Sequence, residues 1–257
     1  MLAVSLADVS AAGLWTSVEV VRQTGSTNAD LLRRGGPEGQ VLVAEEQTAG
    51  RGRMGRSWVS QPGAALTFSF LLLPAAVPPG RRGWLSLLTG VAVVAAVRGV
   101  TGLDAMLKWP NDVLIGGRKL AGILAEQSGD FVVIGIGLNV ATTPDALPSG
   151  AGGLRGTSLA IEGADVGREV VLAGILRQFE RWYLAFREDP SPERAGLLAE
   201  YRRLCSTLGR TVRVELPGMR ILSGLAEDID PEGRLLVTEP GASTPVPVSA
   251  GDVIHVR

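Results

Sequence analysis

Apolar positions along this chain fall into short blocks separated by glycine, proline and polar turns. Val18 to Arg22 is β-branched and weakly alternating, the pattern of a strand with one wet face. Gly25-Ser26-Thr27-Asn28 offers capping side chains, and Ala29-Asp30-Leu31-Leu32-Arg33-Arg34 continues as a short helix that Gly35-Gly36 stops. Val41 to Glu45 predicts a second strand and Leu66 to Leu73 a third. The longest uncharged apolar stretch, Gly83 to Val97, is shorter than the roughly 20 residues a bilayer span needs, so Trp84 to Val100 reads as a buried core helix.

Met106-Leu107-Lys108-Trp109 then meets the turn signal Pro110-Asn111-Asp112. Val113-Leu114-Ile115, a Gly116-Gly117 turn and Leu120 to Glu126 form a hairpin-like pair. Phe131 to Val140, with Gly135 and Gly137, is a nearly unbroken apolar run suited to a central strand, and close strand packing is the competing reading of the two glycines. Helices are predicted over Arg168 to Arg187 and over Pro192 to Leu208. After Leu208 the pattern changes to five short strands: Thr211 to Leu216, Gly224 to Ala226, Leu235 to Thr238, Pro245 to Val248 and Val253 to Val256. Their close turn spacing predicts a small β-barrel. The expected division is therefore 1–208 for an α/β (α+β) domain and 209–257 for the barrel.

Composition narrows the function. The 257 residues are 46% hydrophobic, enough for one main core with a small appendage. The N-terminus lacks a basic region and meets Asp8 early, which makes a poor signal peptide. A single cysteine, Cys205, cannot form an internal disulfide, and a reducing cytoplasm is the expected compartment. A net charge of -1 provides no global attraction for nucleic acid or an anionic membrane. His255, the only histidine, lies two residues from the end, so triads built on histidine and multi-histidine zinc sites are poor candidates. His255 and Cys205 are read as structural. Mechanisms that run on arginine, lysine, carboxylates and bound magnesium therefore move up the list.

The local charge distribution points the same way. Between Gln47 and Leu103 there is no acidic residue, yet Arg51, Arg53, Arg56, Arg81, Arg82 and Arg98 fall inside. Three of them crowd into Gly50-Arg51-Gly52-Arg53-Met54-Gly55-Arg56. Like charges so close repel unless an anion joins them, and the glycines let backbone approach that anion. Arginine offers paired donors that match carboxylate and phosphate. A solvated turn is the competing reading. The loop also spells G-x-G-x-x-G, but it leads into a further strand with no acid about twenty residues on, so a dinucleotide fold is not expected.

Several of these segments together resemble the biotin–protein ligase family across nearly the whole chain. They are Gly25-Ser26-Thr27-Asn28, Gln47 before the Arg/Gly loop with Trp58, and Lys108-Trp109-Pro110-Asn111-Asp112. Lys119-Leu120-Ala121-Gly122-Ile123-Leu124 and Gly135-Ile136-Gly137-Leu138-Asn139 complete the set. The resemblance implies a catalytic domain with a mixed central sheet flanked by helices, followed by an SH3-like barrel. It implies that biotin and ATP react to biotinyl-5′-AMP and pyrophosphate, and that biotin then passes to a lysine of a biotin carboxyl carrier protein.

On this resemblance Ser26, Thr27, Asn28 and Gln47 would hold the biotin head group, while Arg51, Gly52 and Arg53 close over it. Arg53 and Lys119 would be catalytic, holding the carboxylate against the α-phosphate. Arg56 would meet the outer phosphates, Trp58 the adenine, and Asn139 the nucleotide. Asn111 and Asp112 would serve the phosphates, with Asp112 a candidate Mg2+ ligand. Ser26 and Thr27 also cap a helix. Some family members carry an N-terminal DNA-binding domain. Here Ser26 comes so early that operator binding is not expected. Family relatives dimerise through the main sheet, sometimes only with ligand bound, and for this chain a homodimer stays open. A lipoate–protein ligase of related chemistry stays open as an alternative, as does an RNA-binding module built on the Arg/Gly loop.

Overall fold

The computed structural model describes residues 2, 4–9, 12–147, 154–216, 218 and 220–256. After a four-residue helix α1 (Leu6–Val9), the chain builds β1 (Ser17–Thr24), α2 (Thr27–Arg34), β2 (Gln40–Gln47) and β3 (Ala65–Leu72). Next come α3 (Trp84–Thr101), β4 (Ala105–Lys108), β5 (Asp112–Ile115), β6 (Arg118–Ser128) and β7 (Phe131–Asn139). These strands form one seven-stranded sheet in the order β1-β2-β3-β7-β6-β5-β4. Only β1 and β2 run parallel, with α2 as their crossover, and the remaining pairs are antiparallel. The mixed sheet and the central place of β7 match expectation.

The two-residue period of the strands sorts the faces of this sheet. Leu66, Phe68, Phe70 and Leu72 of β3, with Ile134, Ile136 and Leu138 of β7, point into the main core. There they meet α3 and α4 (Arg168–Glu188), which pack on each other across that face. Helix α3 is apolar enough by length and composition to cross a membrane, but Trp84, Leu88, Val91 and Val94 are fully buried in this core. The opposite face carries α2, which covers Leu42, Leu71 and Val133 with Leu31. Beyond α2 the same face presents Thr67, Gly122, Gly135 and Gly137, all of which line an open cleft. Small residues at alternate positions leave it open.

Three expectations change in the structure. The predicted helix from Pro192 to Leu208 shrinks to α5 (Leu197–Leu204). Gly196 before it is left-handed (φ 71°), and Cys205 after it is extended and bridges Leu107. Met106 to Lys108, read as a run leading to a turn, lies within an edge strand, β4. The strand expected over Gly224 to Ala226 is the middle of a longer one.

The last part of the chain folds as β8 (Thr211–Leu216), β9 (Arg220–Ile229), β10 (Leu235–Thr238), β11 (Val246–Val248) and β12 (Asp252–His255). They make an antiparallel five-stranded sheet in the order β11-β10-β9-β8-β12. Its turn at Asp230–Arg234 is held to the larger sheet's side by two buried indoles. Trp84 Nε1 donates to Pro231 O at 2.8 Å, and Trp109 Nε1 donates to Gly233 O at 3.1 Å. Trp109, next to the cis peptide Trp109–Pro110, also donates its backbone N–H to Thr207 Oγ1 at 3.1 Å. The Trp-Pro-Asn-Asp segment is thereby wedged between the two sheets.

Candidate active site

Where the bare sheet face meets the second sheet there is a cleft of about 310 Å³. Every site residue expected from the sequence lines it: Ser26, Thr27, Asn28, Gln47, Arg51, Gly52, Arg53, Arg56, Trp58, Asn111, Asp112, Lys119 and Asn139. Residues up to 113 positions apart in the chain converge because α2, the loop after β2, the β4–β5 turn, β6 and the end of β7 all open on one side.

One end of the cleft is a polar slot at the start of α2. Ser26 is the N-cap, accepting from Ala29 N at 3.4 Å, so its hydroxyl proton stays free for a ligand. Gln47 Oε1 accepts from Thr27 N at 2.8 Å, and Thr27 Oγ1 lies 2.6 Å from Ser69 Oγ. Ser69 donates to Asn28 Oδ1 at 2.6 Å, while Asn28 Nδ2 donates to Glu126 Oε2 at 2.8 Å. Asn28 therefore spends both ends of its amide inside the protein and shapes the slot through its neighbours. Ser69 and Glu126 complete this network and were not foreseen. Their alternation with core residues on β3 and β6 was the available signal.

The Arg/Gly loop forms the lid. Arg51 bridges Ser57, Trp58 N donates to Gly50 O at 2.9 Å and Gly52 N donates to Arg56 O at 2.6 Å, so the segment closes on itself as a tight lobe. Met54 sits in the left-handed region (φ 55°), a conformation that costs a residue with a Cβ roughly 1–2 kcal/mol. The three arginines have different partners. Arg51 lies 4.0 Å from Glu126, and Arg56 Nη2 donates to Asp252 Oδ1 at 2.7 Å. Arg53 has no ion pair among the described residues, and burial lowers its pKa against the opposing pull of Asp252. A half-buried cation without a partner favours an incoming anion.

Facing the lid, Lys119 Nζ lies 2.7 Å from Asp112 Oδ1, an ion pair without hydrogen-bond alignment. Behind it is Lys108, 9% exposed, whose pKa is lowered by burial although Asp112 pulls it up. Five cations (Arg51, Arg53, Arg56, Lys108, Lys119) thus surround the cleft with two carboxylates (Asp112, Asp252). Lys108 stood in a quoted motif but was given no role. Its register partner across the hairpin, Asp112, was the clue. The Asn111 and Asn139 amides donate to Ile123 O at 3.1 Å and Thr157 O at 2.9 Å, fixing the cleft wall with their carbonyl oxygens left over.

The floor is glycine under an indole. Trp58 lies on Gly137 and Gly122: a Cβ on Gly137 would stand 2.2 Å from Trp58 Cε2. Trp58 Nε1 is buried without a hydrogen-bond partner. Neither Cys205 nor His255 lines the cleft. Cys205 is buried, and His255 accepts from or donates to Thr207 Oγ1 at 3.1 Å. His255 has its pKa lowered to about 4 by burial, with Lys108 and Arg210 adding to the effect.

Cations on several sides, a polar slot at one end and neither thiol nor imidazole define a site that joins or activates anionic substrates. Residues 18–139 match the model of the biotin/lipoate A/B protein ligase family and residues 207–256 that of the biotin protein ligase C-terminal domain, and the chain belongs to this family. It is 44% identical to the biotin--[acetyl-CoA-carboxylase] ligase of Mycobacterium tuberculosis, with 97% of this chain and 92% of that one covered. It is 31% identical to the bifunctional ligase/repressor BirA of Escherichia coli over 89% of this chain and 71% of that one. The biotin protein ligase from Aquifex aeolicus in complex with biotin and ATP superposes with a TM-score of 0.78 at 29% identity. That match covers 95% of this chain and all 100% of the other.

Proposed function

We propose that the chain is an ATP-dependent biotin–protein ligase, forming biotinyl-5′-AMP and transferring biotin to a lysine of a biotin carboxyl carrier protein. The observation that carries this reading is Arg53, unpaired and half-buried above a cleft whose opposite wall is Lys119. Two anions, a carboxylate and a triphosphate, repel each other, and cations placed at their junction lower that repulsion. Arg53 and Lys119 hold a biotin carboxylate oxygen against the α-phosphorus. That oxygen forms a bond to phosphorus, the bond to the bridging oxygen breaks, and pyrophosphate leaves with its electrons. In the second half the carrier's amine adds to the acyl carbon, loses a proton, and AMP departs. Neither half needs an enzyme nucleophile, and positioning supplies the acceleration.

Ser26, Thr27, Asn28 and Gln47 shape the slot for the ureido ring, with Arg51 and Gly52 closing over it. Trp58 and Asn139 meet the nucleotide base and sugar, and Arg56 and Asn111 the outer phosphates. Asp112 fits a role toward Mg2+. No group of three potential metal ligands occurs among the described residues, in keeping with an ion that arrives on phosphate and takes one or two protein oxygens. Bound Mg2+ supplies charge neutralisation of the triphosphate. The five-stranded sheet is read as the SH3-like barrel of residues 209–257, following a catalytic domain of 1–208. A cytoplasmic setting agrees with the single buried thiol, and the near-neutral charge supports a role without DNA.

The test is biotin-dependent exchange between ATP and labelled pyrophosphate, followed by mass analysis of a recombinant carrier domain. Exchange with biotin and a mass gain of one biotinyl group are expected. A gain only with lipoate would overturn the biotin assignment.

A further inference from the structure

Asp252 belongs to the second sheet, yet its carboxylate reaches the reactive loop 196 residues earlier in the chain. Its place is well defined. It opens β12 opposite Glu215 of β8, next to Val253, which is buried in the core of that sheet. The sheet itself is fastened beside the cleft by Trp84 and Trp109 through Pro231 and Gly233. The loop, by contrast, is held mostly by its own backbone. From that fixed base Asp252 Oδ1 accepts from Arg56 Nη2 at 2.7 Å.

Arg56 is further fixed by donating Nε to Arg53 O at 3.1 Å, so the contact also steadies the backbone of the unpaired arginine. Its Coulombic influence also reaches Arg53 and Lys108. One carboxylate therefore faces the cations on the nucleotide side of the cleft, whereas Arg51 at the other end of the loop answers to Glu126 at 4.0 Å.

We propose that Asp252 is a positioning residue for the nucleotide half-reaction: from the second sheet it holds Arg56, and through it the Arg53 backbone, in place to receive the triphosphate. The proposal rests on the ligase reading above. Asp252 touches no reacting atom and acts through Arg56. This assigns the second sheet a larger share in ATP affinity than in biotin affinity, because the slot at α2 lies at the far end of the loop.

The test is a double-mutant cycle on ATP–pyrophosphate exchange, with KM for ATP and for biotin measured separately. Asp252→Ala should raise KM for ATP about two- to fivefold, the size of a partly exposed charged pair, with a smaller rise in KM for biotin. Asp252→Glu, which keeps the charge, should recover most of the loss. Arg56→Ala alone should weaken ATP at least as much, and adding Asp252→Ala to it should cost nothing more. Asp252→Asn keeps the shape and one acceptor, and should fall between Asp252→Ala and the native residue if the alanine variant folds poorly. Fully additive losses, an unchanged KM for ATP, or equal losses for ATP and biotin would overturn the proposal. Exchange that fails already in the native chain would instead take down the ligase reading.

Discussion

Replacing Gly137 by alanine tests the glycine floor directly. Gly137 lies in a regular strand with no positive φ, so the backbone accepts alanine without strain. Space is the obstacle. The added Cβ would meet Trp58 Cε2 at 2.2 Å, Cζ2 at 2.4 Å and Nε1 at 2.6 Å, all of them atoms of a rigid ring. That is about 1.2 Å inside ordinary contact, and the indole must leave. Overpacking of this kind costs roughly 1–3 kcal/mol, which corresponds to about 5- to 150-fold in affinity if the nucleotide needs the ring where it now lies. Loss of glycine from the unfolded chain returns about 0.4–1 kcal/mol, which leaves roughly 0–2.6 kcal/mol of the overpacking cost, and the melting temperature should fall by no more than about 10 °C.

The internal control is Gly122→Ala, whose Cβ would have as nearest atoms the movable Lys119 Nζ at 3.3 Å and Cε at 3.4 Å, with Trp58 Cζ3 at 3.5 Å. We expect KM for ATP in pyrophosphate exchange to rise about fivefold or more for Gly137→Ala and less than threefold for Gly122→Ala. Gly135→Ala should act at the other end, where its Cβ would strike Asn28 Oδ1 at 2.2 Å and break the slot, raising KM for biotin instead. Equal KM values for ATP in the Gly137 and Gly122 variants would refute the reasoning that Trp58's seat on Gly137 builds the nucleotide site.

Three more outcomes are expected. Arg53→Ala should lower adenylate formation by about 10²–10³-fold and let biotinyl-AMP escape into solution, which a quench and chromatography would detect; unchanged formation and retention would remove Arg53 from its role. Asp112→Asn should raise the Mg2+ concentration needed for half-maximal exchange, and a magnesium titration with unaltered midpoint would rule Asp112 out as a ligand. His255, with its folded pKa lowered to about 4 from 6.5, is protonated first in the unfolded chain, so its share of stability is whole above about pH 6.5 and is lost as pH falls toward 4. Denaturant melts of native chain and His255→Gln should converge over that window by about 1–2 kcal/mol, after discounting for partial exposure, and curves that stay parallel would contradict the assignment.

What could be read from the chain in advance divides along a physical line. The Arg/Gly loop was legible because its signal is local: like charges at two- and three-residue spacing without neighbouring acids are a recognisable electrostatic debt. Ser26 as a cap, the Gly116-Gly117 hairpin and the central β7 were legible for the same reason. Pro192 to Leu208 misled because apolar periodicity carries no mark of Gly196's left-handed turn or of Cys205 leaving the helix to pair with Leu107. Lys108 was visible as a letter in a motif, but its burial and its nearness to Asp252 and His255 come only with the fold. Asp252 had no readable signal, since a lone acid in a small strand looks solvated until the fold brings it to Arg56.

The same division accounts for how the site is balanced. Three arginines and two lysines in one cleft need counter-charge for the empty protein to fold, yet a carboxylate beside every cation would leave nothing for substrate. The chain meets both demands by placing acids at the margins. Glu126 lies near the outer arginine, Asp112 pairs with a lysine at an angle unfit for a hydrogen bond, and Asp252 holds Arg56 from a separate sheet. Arg53, between them, has no ion pair among the described residues, as the proposed anion-binding role requires. Such spacing requires acids delivered from distant elements on rigid supports, because a neighbouring acid within the loop would pair with Arg53 first. The absence of acids from Gln47 to Leu103 and the reach of Asp252 across the fold are therefore two halves of one electrostatic arrangement.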